Sequence, residues 1–446
     1  MTRPAFSPDD ATVPGGVCAA CAMLCDDIAV VAGRTEHACA SGAEALRAAL
    51  VPRQPSAAAW QAGGPISEEH ALGRAAEMLA TARRPLVTGL AGCTVEAVVA
   101  ACDLADAIHA AIDPGAIEAA RAAGPTIARA GEVTAAWEEL RDRADLVLLW
   151  HCDPCATHPR FRERLLDPPL VGGGRRETIA VAAAPPEGTG APVRHLPALR
   201  EAAVEMARAI HLLVTGRSAA DCLFLPPPLA AQCVALHEAI RRAACVAIVT
   251  ADTSDRVGLE PWSVVHLVRA IAHEKPAFQI PLGPGIAGGP GSAAGAAAVL
   301  AWRYGGAGAV ARADRVAPRL LPGEGDAERL IARGEVDVVL AVGQPTPAVA
   351  AAIAARGDDL GIVALSDAPA PLSWTGAQGI RSIKSIQLRC PSLLTETSGT
   401  LLRGDGRSVQ LALCREADRP ATSDLLHALR AATLARVLRP AAEAPR

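Results

Sequence analysis

The sequence predicts an α/β protein built on parallel sheets, with a small cysteine-rich module at its start. Three observations carry that prediction. Short, continuously apolar runs such as Ala144-Asp-Leu-Val-Leu-Leu-Trp150 recur along the chain, as expected of strands buried on both faces. Amphipathic stretches of helical length separate them, the arrangement of crossover helices between parallel strands. Four of the 13 cysteines fall within residues 17–42, where helical periodicity is weak.

The elements follow in order. After the cysteine segment, Ile66 to about Ala82 has a helical pattern. Pro85-Leu-Val-Thr-Gly-Leu-Ala-Gly92 is an apolar run ending in glycines, and Thr94 to Ala110 is again helical, so strand, turn and helix make one α/β unit. Strands are predicted at Ala144–Trp150, Thr178–Ala182, Cys245–Thr250, Ala277–Pro281, Val336–Val342 and Gly361–Leu365, with a helix at 228–242. Gly283 to Gly295 carries too many glycines and prolines for a helix or central strand and is predicted to be a loop; it lacks the Lys-Ser/Thr of a phosphate-binding loop. From Gln387 to Gly406 the pattern is one of strands and turns, and a helix from about Ser423 to Leu438 closes the chain. No repeat of fixed period is present.

The 446 residues are 51% hydrophobic and 20% charged, which supports a packed core and argues against disorder. Lys+Arg number 43 against 47 Asp+Glu, for a net charge of -4, and no basic block could track a phosphate backbone, so no nucleic-acid partner is expected. No leader-like segment opens the chain and no apolar run approaches the ~20 residues needed to cross a bilayer, so a cytoplasmic protein with no membrane partner is expected. In a reducing compartment its cysteines would be core residues, ligands or reactive thiols rather than disulfides. Cys93, Cys102, Cys222, Cys233, Cys245, Cys390 and Cys414 stand in apolar surroundings and are expected to pack in cores.

Cys18-x2-Cys21-x3-Cys25, followed by Cys39, is the sharpest local feature. A cubane 4Fe-4S cluster takes one thiolate per iron, commonly three from a tight loop and a fourth from further along. A four-thiolate zinc site usually shows two separated knuckles, which this spacing lacks. Cubane, zinc and buried thiols all remain open on spacing alone. A second set, His151, Cys152, Cys155 and His158, would have to fold round one ion in a very tight loop restricted by Pro154 and Pro159.

The segment Val17-Cys-Ala-Ala-Cys-Ala-Met-Leu-Cys-Asp-Asp-Ile28 resembles the N-terminal motif of the family of B-type formylmethanofuran dehydrogenase subunits, within the molybdopterin oxidoreductase superfamily. Further stretches resemble the family in the same order. These are Arg143 to Pro154 with Thr157-His-Pro-Arg160, Val299-Leu-Ala-Trp302, Pro322-Gly-Glu324, Leu330 to Gly343, and Glu396-x2-Gly-Thr400 with Arg403 and Asp405-Gly406. The resemblance implies two doubly wound parallel-sheet domains of the molybdopterin oxidoreductase type. An iron-sulfur-like module would span 12–60, a discontinuous α/β domain 61–136 and 291–446, and a second α/β domain 137–290. It also implies a 4Fe-4S cluster on Cys18, Cys21, Cys25 and Cys39, and a metal-pterin site near Asp153, His158, Arg160 and Gly343.

The likeness fails where redox members carry a Cys-His pair before Gly-Pro. Here Ala122 and Ala123 precede Gly124-Pro125, and no cysteine lies between Cys102 and Cys152. A methyl group cannot bind a metal. His151 stands where the pterin loop has a small glycine, and Gly343-Gln-Pro345 replaces Ser-Asp-Pro. These departures resemble the branch found in the bacterial formyltransferase/hydrolase complex. They imply a mainly structural or carrier-binding subunit with no residues of its own assigned to catalysis and with the metal-pterin absent. Its partners would be the hydrolase, formyltransferase and C-type subunits and a methanofuran-type carrier. The alternatives are a redox-active tungsten or molybdenum subunit and an iron-sulfur binding module.

Overall fold

The computed structural model describes residues 13–31, 34–51, 57–115, 130–187, 193–222, 224–251, 259–282, 291, 293–311, 318–368, 370, 372, 384–413 and 415–438. Two compact units divide the chain. One comprises Met1–Ala116, Gly289–Arg403 and Ser408–Arg446, the other Ile117–Gly288 with Gly404–Arg407.

The first unit opens with an antiparallel sheet of β1 (Val13–Cys18), β2 (Cys25–Val31) and β3 (Arg34–Glu36). A helix, Ala40–Leu50, follows within the segment whose sequence shows little helical periodicity. β4 (Ala59–Gln61) and β5 (Gly64–Ile66) form an edge hairpin, and β6 (Pro85–Thr88) and β7 (Ala111–Ile112) are parallel neighbours. The helices between them, Glu68–Thr81 and Val95–Ile108, are capped by the Ser67 and Thr94 side chains, which accept from His70 and Ala97 backbone N–H groups.

The second unit holds a five-stranded, all-parallel sheet: β8 (Leu146–Trp150), β9 (Glu177–Ala182), β10 (Val193–Pro197), β11 (Val246–Thr250) and β12 (Ala277–Pro281). Its spatial order is β10-β9-β8-β11-β12. The chain lays strands outward on one side of β8, then returns to lay β11 on the other, so the order reverses between β8 and β11.

Returning to the first unit, the chain adds β13 (Val310–Ala311), β14 (Arg319–Leu320), β15 (Val338–Val342), β16 (Gly361–Ser366) and β17 (Ser385–Arg389), then the hairpin β18 (Gly399–Leu402) and β19 (Ser408–Leu411). The nine-stranded sheet runs β14-β13-β7-β6-β15-β16-β17-β4-β5, parallel from β7 to β17, and its order reverses between β6 and β15. Every residue of β6, β8, β15 and β16 is buried, which is why their sequences are continuous apolar runs.

Most predicted strands lie within a residue or two of their sequence positions. The differences are at edges and ends. β17 continues the parallel sheet beside β16, where the sequence suggests only strands and turns. Ala293 to Gly295 belong to a helix, Ala293–Tyr304, rather than to the expected loop, whose remainder at 283–290 lies outside the described residues.

Both reversal points are fastened at their amino ends by the same device. Asp145, one residue before β8, accepts hydrogen bonds from Ala244 N (2.9 Å) and Cys245 N (2.7 Å), just before β11. Asp337, one residue before β15, accepts from Arg83 N (2.7 Å) and Arg84 N (2.9 Å), just before β6. A hydrogen bond to a charged acceptor contributes roughly 1.5–3 kcal/mol, and its loss strands a backbone donor. Asp145→Ala and Asp337→Ala are each expected to cost about 2–3 kcal/mol in denaturant unfolding, with the asparagine variants recovering part of it.

Candidate functional site

The cysteine loop is built by a hairpin and a helix start. Cys18 and Cys25 are cross-strand partners of β1 and β2. Cys21 lies in the connecting turn, where its carbonyl accepts from Leu24 N. Cys39 is the N-cap of Ala40–Leu50, and its sulfur accepts from Gly42 N at 3.3 Å. A Cβ on Gly42 would stand 2.7 Å from Cys18 Sγ and 3.4 Å from Cys39 Sγ, so the glycine lets two thiols share the first turn of the helix. Cys18, Cys21 and Cys25 are buried and Cys39 is half-buried. Burial pushes the Cys21 thiol up to about 12, opposed by a hydrogen bond from the Met23 backbone; the nearby Cys25, Cys18 and Cys39 sulfurs add to the rise. The fold thus brings the four cysteines together. Among the described residues no group of three His, Cys, Asp or Glu side chains is arranged to hold a metal ion.

The loop rests on a second layer. Val17, Ala19 and Leu24 pack against Leu401, Val409 and Leu411 of the β18–β19 hairpin, and Gly291 N donates to Ala19 O at 2.6 Å. Buried Glu396 accepts from Ser392 N at 2.9 Å and pairs with Arg415. Thr400 N donates to Glu96, a carboxylate that sequence reasoning did not single out because it sits on a distant helix; the Thr400 hydrogen bonds outweigh its burial and lower its pKa.

In the second unit, the residues after β8 lie at the carboxyl edge of the strand-order reversal. His151 has a left-handed φ of 47°, and its N–H donates to Val181 O at 2.8 Å. Gly343, the first residue after β15, is equivalent: its φ is 78° and its N–H donates to Leu365 O at 2.8 Å. The glycine position inferred at 151 is thus a real backbone requirement, and histidine meets it with strain of order 1 kcal/mol. Burial holds the His151 ring below its usual pKa, with Glu260 opposing and Arg200 assisting.

The carboxylate of Asp153 is committed to the backbone. Oδ1 accepts from Cys155 N (3.0 Å) and Ala156 N (3.3 Å), capping the short helix Pro154–Thr157, and Oδ2 accepts from Glu187 N (2.8 Å). Arg160 is buried, and its guanidinium forks onto Glu163 at 3.0 and 2.6 Å. His158 is fully buried. Its Nδ1 meets Thr157 Oγ1 at 2.9 Å, its ring packs edge-on to Trp137, and its Nε2 has no hydrogen-bond partner. The structure does not assemble His151, Cys152, Cys155 and His158 round one point: Cys152 Sγ instead donates to Val249 O at 3.4 Å. Gly343 lies in the other unit, where a Cβ would meet Gly89 O at 3.2 Å. Ala122, Ala123, Gly124, Pro125 and Cys414 lie outside the described residues.

The class of protein is therefore an α/β chain with two sheets, each reversing its strand order once, and a four-thiol module at its start. No family model and no curated protein sequence matches it. Its fold is similar to that of a chain in the X-ray crystal structure of the formyltransferase/hydrolase complex (FhcABCD) from Methylorubrum extorquens, solved with methylofuran. The match has a TM-score of 0.66 at 20% identity and covers 85% of this chain and 99% of that one. Among the described residues no helix is long and apolar enough to cross a membrane.

Burial lowers the His158 pKa from 6.5 to about 4. Below pH 6.5 the unfolded chain binds a proton that the folded chain refuses until about pH 4, so folding weakens as pH falls through this window. The linkage amounts to about 3 kcal/mol. Unfolding curves from pH 7 to pH 4 are expected to be flatter for His158→Gln than for wild type by roughly that amount.

Proposed function

We propose that this chain is a B-type subunit of a formyltransferase/hydrolase assembly in tetrahydromethanopterin-linked one-carbon metabolism. It is a homologue of the B-type formylmethanofuran dehydrogenase subunits that acts as scaffold or carrier-binding surface and carries out no redox turnover of its own. The observation that carries this reading is the shared fold over 99% of a chain from that complex. The ordered motifs from Val17 to Gly406 support it. Partner subunits would transfer the formyl group and hydrolyse it, and a methanofuran-type carrier would reach the assembly through them or through this chain.

The residues implied for a metal-pterin do not fit it. Asp153 is spent on three backbone N–H groups, Arg160 on Glu163, and Gly343 on its close approach to Gly89. Ala122 and Ala123 stand in the place of the metal-binding Cys-His pair. The iron-sulfur group fits better. Cys18, Cys21, Cys25 and Cys39 would hold it, since a cubane takes one thiolate per iron and needs no single point equidistant from all four. Bound there it would supply one-electron transfer, and its thiolates would be favoured by the start of Ala40–Leu50.

Expressed with its neighbouring subunits, the protein is expected to copurify with them, and its deletion to abolish or sharply reduce formyl transfer and hydrolysis; unchanged activity without copurification would overturn the assignment. Oxygen-free preparations are expected to lack tungsten and molybdenum, whereas a stoichiometric amount with pterin would establish the redox alternative. Iron with thiolate-to-iron absorbance is expected, both lost in the Cys21→Ser, Cys25→Ser double variant.

A further inference from the structure

In a sheet whose strand order reverses, the loops leaving the two strands at the reversal diverge, and the gap between their carboxyl ends is where such folds take phosphate-bearing ligands. A phosphate there needs small residues, open backbone N–H groups and a helix start. This chain has two such gaps, one in each unit, and both are filled from within in the same way.

In the second unit, Cys152 turns from the end of β8 across the gap and donates its S–H to Val249 O of β11. In the first, Cys93, which follows β6 and the short turn Leu90–Gly92, donates to Val342 O of β15 at 3.7 Å. Both sulfurs are buried. The surrounding groups complete the closure. The N–H groups of His151 and Gly343, first beyond their strands, are given to Val181 and Leu365 carbonyls of the outer neighbours. The helix starts that a phosphate would use are capped internally, by Asp153 on Cys155 and Ala156 and by Thr346 on Val349, and each has proline as its first residue, Pro154 and Pro347. Where an anion would arrive in the second unit stand the Asp153 carboxylate and the Arg200–Glu260 pair, joined at 3.1 Å. In the first, a Cβ on Gly89 would lie 2.7 Å from Val342 O, so the two strand ends already touch.

We propose that Cys93 and Cys152 are paired closures of the two strand-reversal gaps, holding β6 to β15 and β8 to β11 at their carboxyl ends, and that neither gap takes a nucleotide or other phosphate-bearing ligand. Burial pushes both thiols up to about 12, so they stay protonated and keep the S–H that makes the bond. The proposal stands on this geometry and not on the functional reading above, which is judged by copurification.

Two measurements on the full-length wild-type chain test it. Iodoacetamide labelling followed by peptide mass spectrometry uses half-buried Cys155, three residues from Cys152, as the internal reference. Cys93 and Cys152 are expected to stay unlabelled while Cys155 reacts, and all three to react once the chain is unfolded. Calorimetric titration with guanosine diphosphate, the probe for a nucleotide pocket, is expected to show no saturable binding. Labelling of native Cys93 or Cys152 at the rate of Cys155 would overturn the closure, and micromolar binding of guanosine diphosphate would overturn the exclusion.

Discussion

The structure depends on how each sheet is held together where its strand order reverses. Elsewhere, consecutive strands are joined by short crossovers, so chain connectivity helps to keep them adjacent. At the reversal, β8 meets β11 and β6 meets β15 across long separations in sequence, about 100 and 250 residues for the fastening hydrogen bonds. Loop-closure entropy grows with that separation, though slowly. Asp145 and Asp337 answer this at the amino ends with charged acceptors for two backbone N–H groups each. Their chemistry suits the place: the first N–H groups before a strand have no ladder partner, and a carboxylate satisfies two at once.

The carboxyl ends need a different device because they are more deeply buried. A carboxylate in a fully enclosed site costs several kcal/mol of desolvation, whereas a thiol enters as a small apolar group with a weak donor. Cys93 and Cys152 sit in that environment, and their burial reinforces the protonated form they need. Similar use of cysteine recurs in the second unit, where Cys222 and Cys233 donate to the Ala209 and Met206 carbonyls of one helix. Much of the large cysteine content is thus packing with a polar contact, a role distinct from the gathered thiols of the N-terminal loop.

The central strands were legible in the sequence because double-sided burial demands continuous apolar runs, and Ala277–Pro281 matches residue for residue. Edge elements were not. β5, β13 and β14 are two or three residues long and carry exposed positions, so they leave no apolar run to read. The helix after Cys39 was hidden by its cap: a cysteine that belongs to a ligand motif also accepts the helix's first hydrogen bond. At the candidate site, the spacing of Cys18, Cys21, Cys25 and Cys39 foretold their convergence. The commitment of Asp153 to Glu187, and of Glu96 to Thr400, could not be read, since those contacts join segments 34 and 304 residues apart.

A polar side chain that satisfies the backbone has little capacity left for a ligand, and this divides the molecule. Asp153, Arg160, Thr346 and Gly343 are tied into caps, ion pairs or strand closure, so recruiting any of them would first break contacts worth about 1–3 kcal/mol apiece. The cysteine loop is arranged otherwise. Its four sulfurs approach one another closely enough to raise the Cys21 pKa, a repulsion among thiolates that packing alone gives no reason to create. Positive charge placed among them would relieve it, which is the electrostatic case for iron at the loop and against a nucleotide at the sheets.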